Sequence, residues 1–166
     1  MSDETTKSKA RQKADHIKAF RCKNLIAVLE NPTDFKNIGT VIRNVNALGV
    51  EKTYIIDGKN MLPDDWQDMR EQKPLLRSSV SAIKWSFVKK FENTEQCFAH
   101  LEQNGFTSIV TSPHTKGKQN VVLEAGNFTQ KKLAVWFGCE KFGISDFALE
   151  RSSYCVNIPM SHVRHG

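Results

Sequence analysis

Residues 25–49 read LIAVLENPTDFKNIGTVIRNVNALG. The first five form an unbroken apolar run of strand length, as expected for a strand covered on both faces of a parallel sheet. After a polar loop, Ile38, Val41, Ile42, Val45 and Leu48 recur at i, i+3, i+4, i+7 and i+10, which predicts a helix with one apolar face. Gly49 stands where a helix C-terminus takes a left-handed residue. Residues 133–160, LAVWFGCEKFGISDFALERSSYCVNIPM, repeat the order: apolar strand, Gly-bearing loop, short helix opened by Ser145, and a strand over 154–158. In α/β sheets the loops at the carboxyl ends of strands carry ligands, so both loops are where chemistry is expected.

Working outward, residues 53–57 (TYIID) read as a strand, and residues 58–81 read as irregular, with Pro63, Pro74 and mixed charges. Ile83, Trp85 and Phe87 alternate with polar residues, which predicts a half-exposed strand. A helix over 94–104 capped by Gly105, a strand over 106–112 and a strand over 131–138 complete the pattern. Strand alternating with helix predicts an α/β domain whose largely parallel sheet is flanked by helices.

Composition narrows the class. A chain of 166 residues with 39% hydrophobic residues can bury one core without disulfides. Cys22, Cys97, Cys139 and Cys155 are widely spaced, without a C-x-x-C pair or His at ligand spacing, so no metal site is expected and a reducing, cytoplasmic setting is. No apolar run approaches the roughly 20 residues of a membrane helix, and the charged N-terminus is unlike a signal peptide, so a soluble chain that is not exported is expected. Net charge is +6, and residues 1–24 carry Lys7, Lys9, Arg11, Lys13, Lys18, Arg21 and Lys23 against three acids, a net +4. Two readings fit this basic segment, a nucleic-acid contact and a solvated tail. Residues 1–9 read as disordered, whereas Ala10, Ala14, Ile17 and Phe20 suggest a basic helix with a weak apolar face.

Within the loops, Asn37 precedes the periodic helix, where it can cap free N–H groups or face a ligand. Arg43 falls off the apolar stripe, as a solvated residue or as a clamp for phosphate. Gly138 and Gly143 flank Cys139–Glu140–Lys141–Phe142 in a pattern that is neither a dinucleotide nor a nucleoside-triphosphate loop. Pro159 frees the chain after Ile158 from the ladder. Of the tryptophans that could stack bases, Trp85 and Trp136 lie in strand patterns and are expected in the core, whereas Trp66 falls in the irregular stretch.

Taken together, these residues resemble the SpoU/TrmH-type RNA 2′-O-methyltransferases of the SPOUT superfamily, most closely the tRNA (guanosine-2′-O) branch. The first motif is matched by Glu30, Asn31, Asn37, Arg43 and Ala47–Leu48–Gly49, the second by Phe137–Gly138, Glu140–Lys141, Gly143–Ile144–Ser145 and Ile158–Pro159–Met160. The resemblance covers residues 25–160, with 1–24 as a basic extension and 161–166 as an atypical end. It implies a SPOUT-like fold of trefoil-knot type, a homodimer, and S-adenosylmethionine held near Thr111, Gly138, Ile158 and Met160. It also implies methyl transfer to a ribose 2′-hydroxyl of tRNA or rRNA, with Arg43, Asn37 and Glu140 as catalytic residues and Asn31 in support. The alternatives are a non-catalytic RNA-binding protein of the same fold and a base methylase. The family's third motif and final helix are not matched by Ser161–His162–Val163–Arg164–His165–Gly166, so an incomplete knot is expected.

Overall fold

A computed structural model describes residues 8–113 and 120–159; Lys7, Met160 and the chain end on which a knot depends lie outside them. Among the described residues, seven strands form one sheet. They are β1 (Cys22–Glu30), β2 (Val50–Ile56), β3 (Phe87–Phe91), β4 (Thr107–Thr111), β5 (Asn120–Val122), β6 (Leu133–Phe137) and β7 (Tyr154–Asn157). The order is β3-β2-β1-β6-β4-β7-β5, and every pairing is parallel. The α/β expectation holds, with β1 inside the sheet between β2 and β6, as its apolar run implied.

Alternation along the strands divides the core. Ile26, Val28 and Trp136 point to one face, where Phe98 and Leu101 of α5 (Thr94–Gln103) and Ala148 of α6 (Asp146–Arg151) cover them. Trp136 is fully buried, as expected, and its indole N–H donates to Ser108 Oγ at 3.0 Å, satisfying the one polar atom it carries. Leu29, Ile55 and Val88 point to the other face, against Ile38 and Ile42 of α2 (Phe35–Ala47), Met69 of α3 (Trp66–Glu71) and Leu75 of α4 (Lys73–Ser78).

Four local expectations are corrected. The N-cap of α2 is Asp34, whose carboxylate accepts from the Lys36 amide at 2.8 Å, so the helix starts two residues before Asn37. Residues 66–78 are two short helices rather than irregular chain, α4 opening with Pro74 in its first turn, where proline loses no helical bond. The alternation of Ile83, Trp85 and Phe87 is not a strand: a 3₁₀ turn occupies Ala82–Lys84, Trp85 is half-buried, and β3 starts only at Phe87. The N-terminal segment forms α1 (Lys9–Lys18), packed at the amino ends of β2 and β3, and Phe20 stays 80% exposed instead of joining an apolar face.

Candidate functional site

The carboxyl ends of β1 and β6 are neighbours, and the chain leaves them in opposite directions: from β1 through α2 to β2, from β6 through α6 to β7. Such a reversal opens a crevice between the two loops. Glu30, the last residue of β1, is 2% exposed. Its carboxylate accepts from Thr94 Oγ1 at 2.7 Å, from the Ser145 amide at 2.8 Å and from Ser145 Oγ at 2.5 Å. Ser145 Oγ also accepts from the Ala148 amide at 3.3 Å as N-cap of α6, so one hydroxyl donates to Glu30 and caps a helix. This buried carboxylate fastens the end of β1 to the starts of α5 and α6. Asn31 follows in the left-handed region at φ 48°, and its Oδ1 accepts from the Gly58 amide at 3.1 Å, tying the loop after β1 to the loop after β2.

With Asp34 capping the helix, the amide of Asn37 is released for another partner, and Nδ2 donates to Glu140 Oε1 at 3.3 Å across 103 residues of sequence. The pair stands at a cavity of about 240 Å³, walled by Thr40 and Val41 of α2 on one side and Phe137 to Glu140 on the other. A second cavity of about 430 Å³ is lined by Thr111, Ser112, Pro113 and residues 137–144. Phe137, Gly138, Cys139 and Glu140 line both. Residues 139–143 double back, with the Gly143 amide donating to the Cys139 carbonyl at 2.8 Å. A Cβ on Gly138 would stand 2.2 Å from the Gly143 carbonyl carbon, so glycine is required for this closure.

The structure thus brings Asn37, Glu140, Thr111 and Gly138 around two adjoining cavities. The Thr111 hydroxyl is committed to the Trp136 carbonyl at 2.9 Å, which sets its rotamer. Ile158 is 49% exposed beyond β7 and does not line either cavity, and Met160 lies outside the described residues. Arg43 is exposed on α2 and lines neither cavity; six residues from Asn37, it points about 120° around the helix axis.

The basic extension lies elsewhere. Arg11 pairs with Asp15 at 3.5 Å, Lys18 with Glu51 at 3.9 Å, and Arg21 Nη2 donates to Asn46 Oδ1 at 2.6 Å. Lys9, Lys13 and Lys23 are exposed, and Lys7 falls outside the described residues. α1 sits at the amino edge of the sheet, roughly the 25–30 Å length of β1 from the cavities. The Glu30–Ser145–Thr94 network was missed in the sequence; its only local signal was an acidic residue ending an otherwise apolar strand. Among the described residues there is no group of His, Cys, Asp and Glu that could hold a metal ion, and no helix long and apolar enough to cross a membrane.

The model of the SpoU rRNA methylase family matches residues 24–165. The tRNA (guanosine(18)-2′-O)-methyltransferase of Thermus thermophilus is 24% identical over 150 residues, spanning 90% of this chain and 70% of that protein. The enzyme of the same name from Borreliella burgdorferi is 27% identical over 158 residues, 94% of this chain and 64% of that one. Among solved structures, the TrmH/SpoU tRNA modifying enzyme of A. aeolicus superposes with a TM-score of 0.71 at 20% identity, covering 91% of this chain and 72% of that one. The SpoU methyltransferase AviRb of Streptomyces viridochromogenes, in complex with AdoMet, superposes with a TM-score of 0.68 at 20% identity, covering 87% of this chain and 55% of that one.

Proposed function

We propose, since the chain belongs to the SpoU rRNA methylase family, that its site transfers a methyl group from S-adenosylmethionine to a ribose 2′-hydroxyl of RNA. One observation carries this reading: the wall from Phe137 to Glu140 is shared by two cavities, so molecules bound on either side of it would meet at Glu140. The larger cavity, about 430 Å³, falls within the 300–1,000 Å³ typical of small-molecule sites, and its lining of glycine backbone and apolar groups with Thr111, Ser112, Glu140 and Lys141 among them suits a nucleoside-like donor. Thr111 and Gly138, which line this cavity, are the residues that would hold it. When bound, S-adenosylmethionine supplies a methyl group on a positively charged sulfur.

The protein's task is then orientation and removal of one proton. Asn37 holds one oxygen of Glu140. The remaining lone pairs of the carboxylate are available to accept a hydrogen bond from the ribose hydroxyl and to take its proton. Arg43 reaches RNA from the flanking face of α2, where it steadies phosphate charge, since a guanidinium that never deprotonates makes a poor base. Asn31 supports the loop through Gly58.

The names of the relatives favour tRNA over rRNA as substrate. A cytoplasmic site of action fits four free cysteines. A homodimer fits an open apolar cavity of about 300 Å³ bordered by Val41, Val45, Leu48, Val135 and Phe137, with Leu48 78% exposed. The exposed cations Lys9, Lys13 and Lys23 and the paired Arg11, Lys18 and Arg21 would give RNA a distal contact, together with Lys7. Glu140→Gln tests the core of this reading: we expect methyl incorporation into tRNA to fall at least about 100-fold with donor affinity retained. Full activity in that variant would refute it.

A further inference from the structure

We infer that the RNA backbone is gripped along a groove between α2 and α4, by Lys36, Arg43 and Arg77; this rests on the methyltransferase reading and adds where that enzyme holds its substrate. Contact between the two helices fixes the groove. A Cβ on Gly39 would stand 1.8 Å from Ser78 Oγ and 2.8 Å from the Ser78 carbonyl carbon, so only glycine lets α4 approach this closely. Ser78 Oγ lies 3.1 Å from the Phe35 carbonyl, which joins the end of α4 to the first turn of α2. Beside that contact runs an open groove of about 440 Å³ lined by Asp34, Phe35, Lys36, Pro74, Arg77 and Ser78.

The charges there are uncommitted. Lys36, Arg43 and Arg77 are exposed, and none forms an ion pair among the described residues. The one acid of the groove, Asp34, caps α2 through its Oδ1. Arg43 follows Lys36 by seven residues, nearly two turns and about 10 Å along the same side of the helix. Binding a polyanion draws its strength from cations that displace its counterions; Lys9, Lys13 and Lys23 are exposed as well, but Arg11, Lys18 and Arg21 already have partners and α1 lies at the opposite edge of the sheet from the cavities. Lys36 stands about 100° around the helix axis from Asn37, so a strand held in the groove would cross the first turn of α2 to reach the cavity where the hydroxyl must sit, with phosphate contacts setting register.

The test measures binding of bulk tRNA to the full chain by fluorescence anisotropy over a range of salt, without methyl donor. The double variant Lys36→Gln/Arg77→Gln should bind about tenfold more weakly near physiological salt, and the slope of log affinity against log salt should shrink by about two. Its thermal midpoint and its calorimetric affinity for S-adenosylmethionine should match the unmodified chain. Lys9→Gln/Lys13→Gln on α1 should change affinity less. An unchanged slope in the first pair, or a larger loss in the second, would overturn the proposal. Methylation assays run alongside separate the two claims. Groove-dependent tRNA binding without methyl transfer would sink the enzymatic reading alone, and transfer with groove-independent binding would sink the groove alone.

Discussion

At the carboxyl edge of the sheet the buried Glu30 carboxylate receives three hydrogen bonds from two helix starts, whereas at the amino edge Arg21 Nη1, Glu51 Oε2 and Arg70 Nε lie buried near α1 without a hydrogen-bond partner among the described residues. Both edges are rich in charge. Only one has its polar atoms satisfied, and satisfied networks hold geometry while orphaned atoms each cost about 1–3 kcal/mol. The contrast teaches that a concentration of charge in the sequence does not locate a functional edge. The ordered edge is the one where distant residues complete one another, Asn37 with Glu140 and Glu30 with Ser145.

Breaking the ordered edge should cost most. Glu30→Ala strands two hydroxyls and an amide in the interior, and we expect a loss of about 3 kcal/mol or more in urea denaturation. A loss below about 1 kcal/mol would show that the network does not fasten the loops. Next in size is Gly39→Ala, where the added methyl meets Ser78 backbone as well as its side chain. Overpacking should outweigh the gain in helix propensity and leave a net cost of about 1–2 kcal/mol. Adding Ser78→Ala should not restore the loss, because the backbone carbon remains in the way.

A pH titration sharpens the comparison from inside α5, the helix that Glu30 anchors. Burial, aided by the Glu30 charge, pushes the Cys97 thiol from 9.0 up to about 12. The folded chain therefore keeps a proton that the unfolded chain releases. Stability should fall as pH rises from about 9 toward 12, by up to about 1.4 kcal/mol per unit, and Cys97→Ala should flatten that slope in denaturation midpoints. The smallest effect is expected at the amino edge. Removing residues 1–20 takes away the exposed Arg11–Asp15 pair and the Lys18 partner of Glu51, whose buried carboxylate would regain water as α1 leaves, so stability should change by about 1 kcal/mol or less and affinity for S-adenosylmethionine not at all. A collapse of donor binding there would contradict the division between the edges.

Much of this was legible in the sequence. The cores of β1 and β6, together with α2, α5 and β7, announced themselves because a buried strand or a one-faced helix imposes its own period, and the six-residue α6 did so through its capping Ser145. The short elements did not: α3 and α4 have six residues each, too few for a period, and β5 has three. Ile83 and Trp85 misled because a tight turn can bury alternate residues as a strand does. Asp34 and Asn37 are both competent caps three residues apart, and local sequence does not choose between them. In the fold Asp34 caps and Asn37 donates instead to Glu140, a partner 103 positions away. Likewise the donors to Glu30 lie 64 and 115 residues distant, and the grip of Gly39 on Ser78 belongs to tertiary packing alone.

The most direct test incubates the chain with methyl-labelled S-adenosylmethionine and unmodified bulk tRNA, digests the RNA to nucleosides and identifies the labelled product by mass spectrometry. We predict label on a ribose 2′-oxygen, lost in Asn37→Ala and in Glu140→Gln. Label on a base, or no label in RNA despite measurable donor binding, would contradict the account.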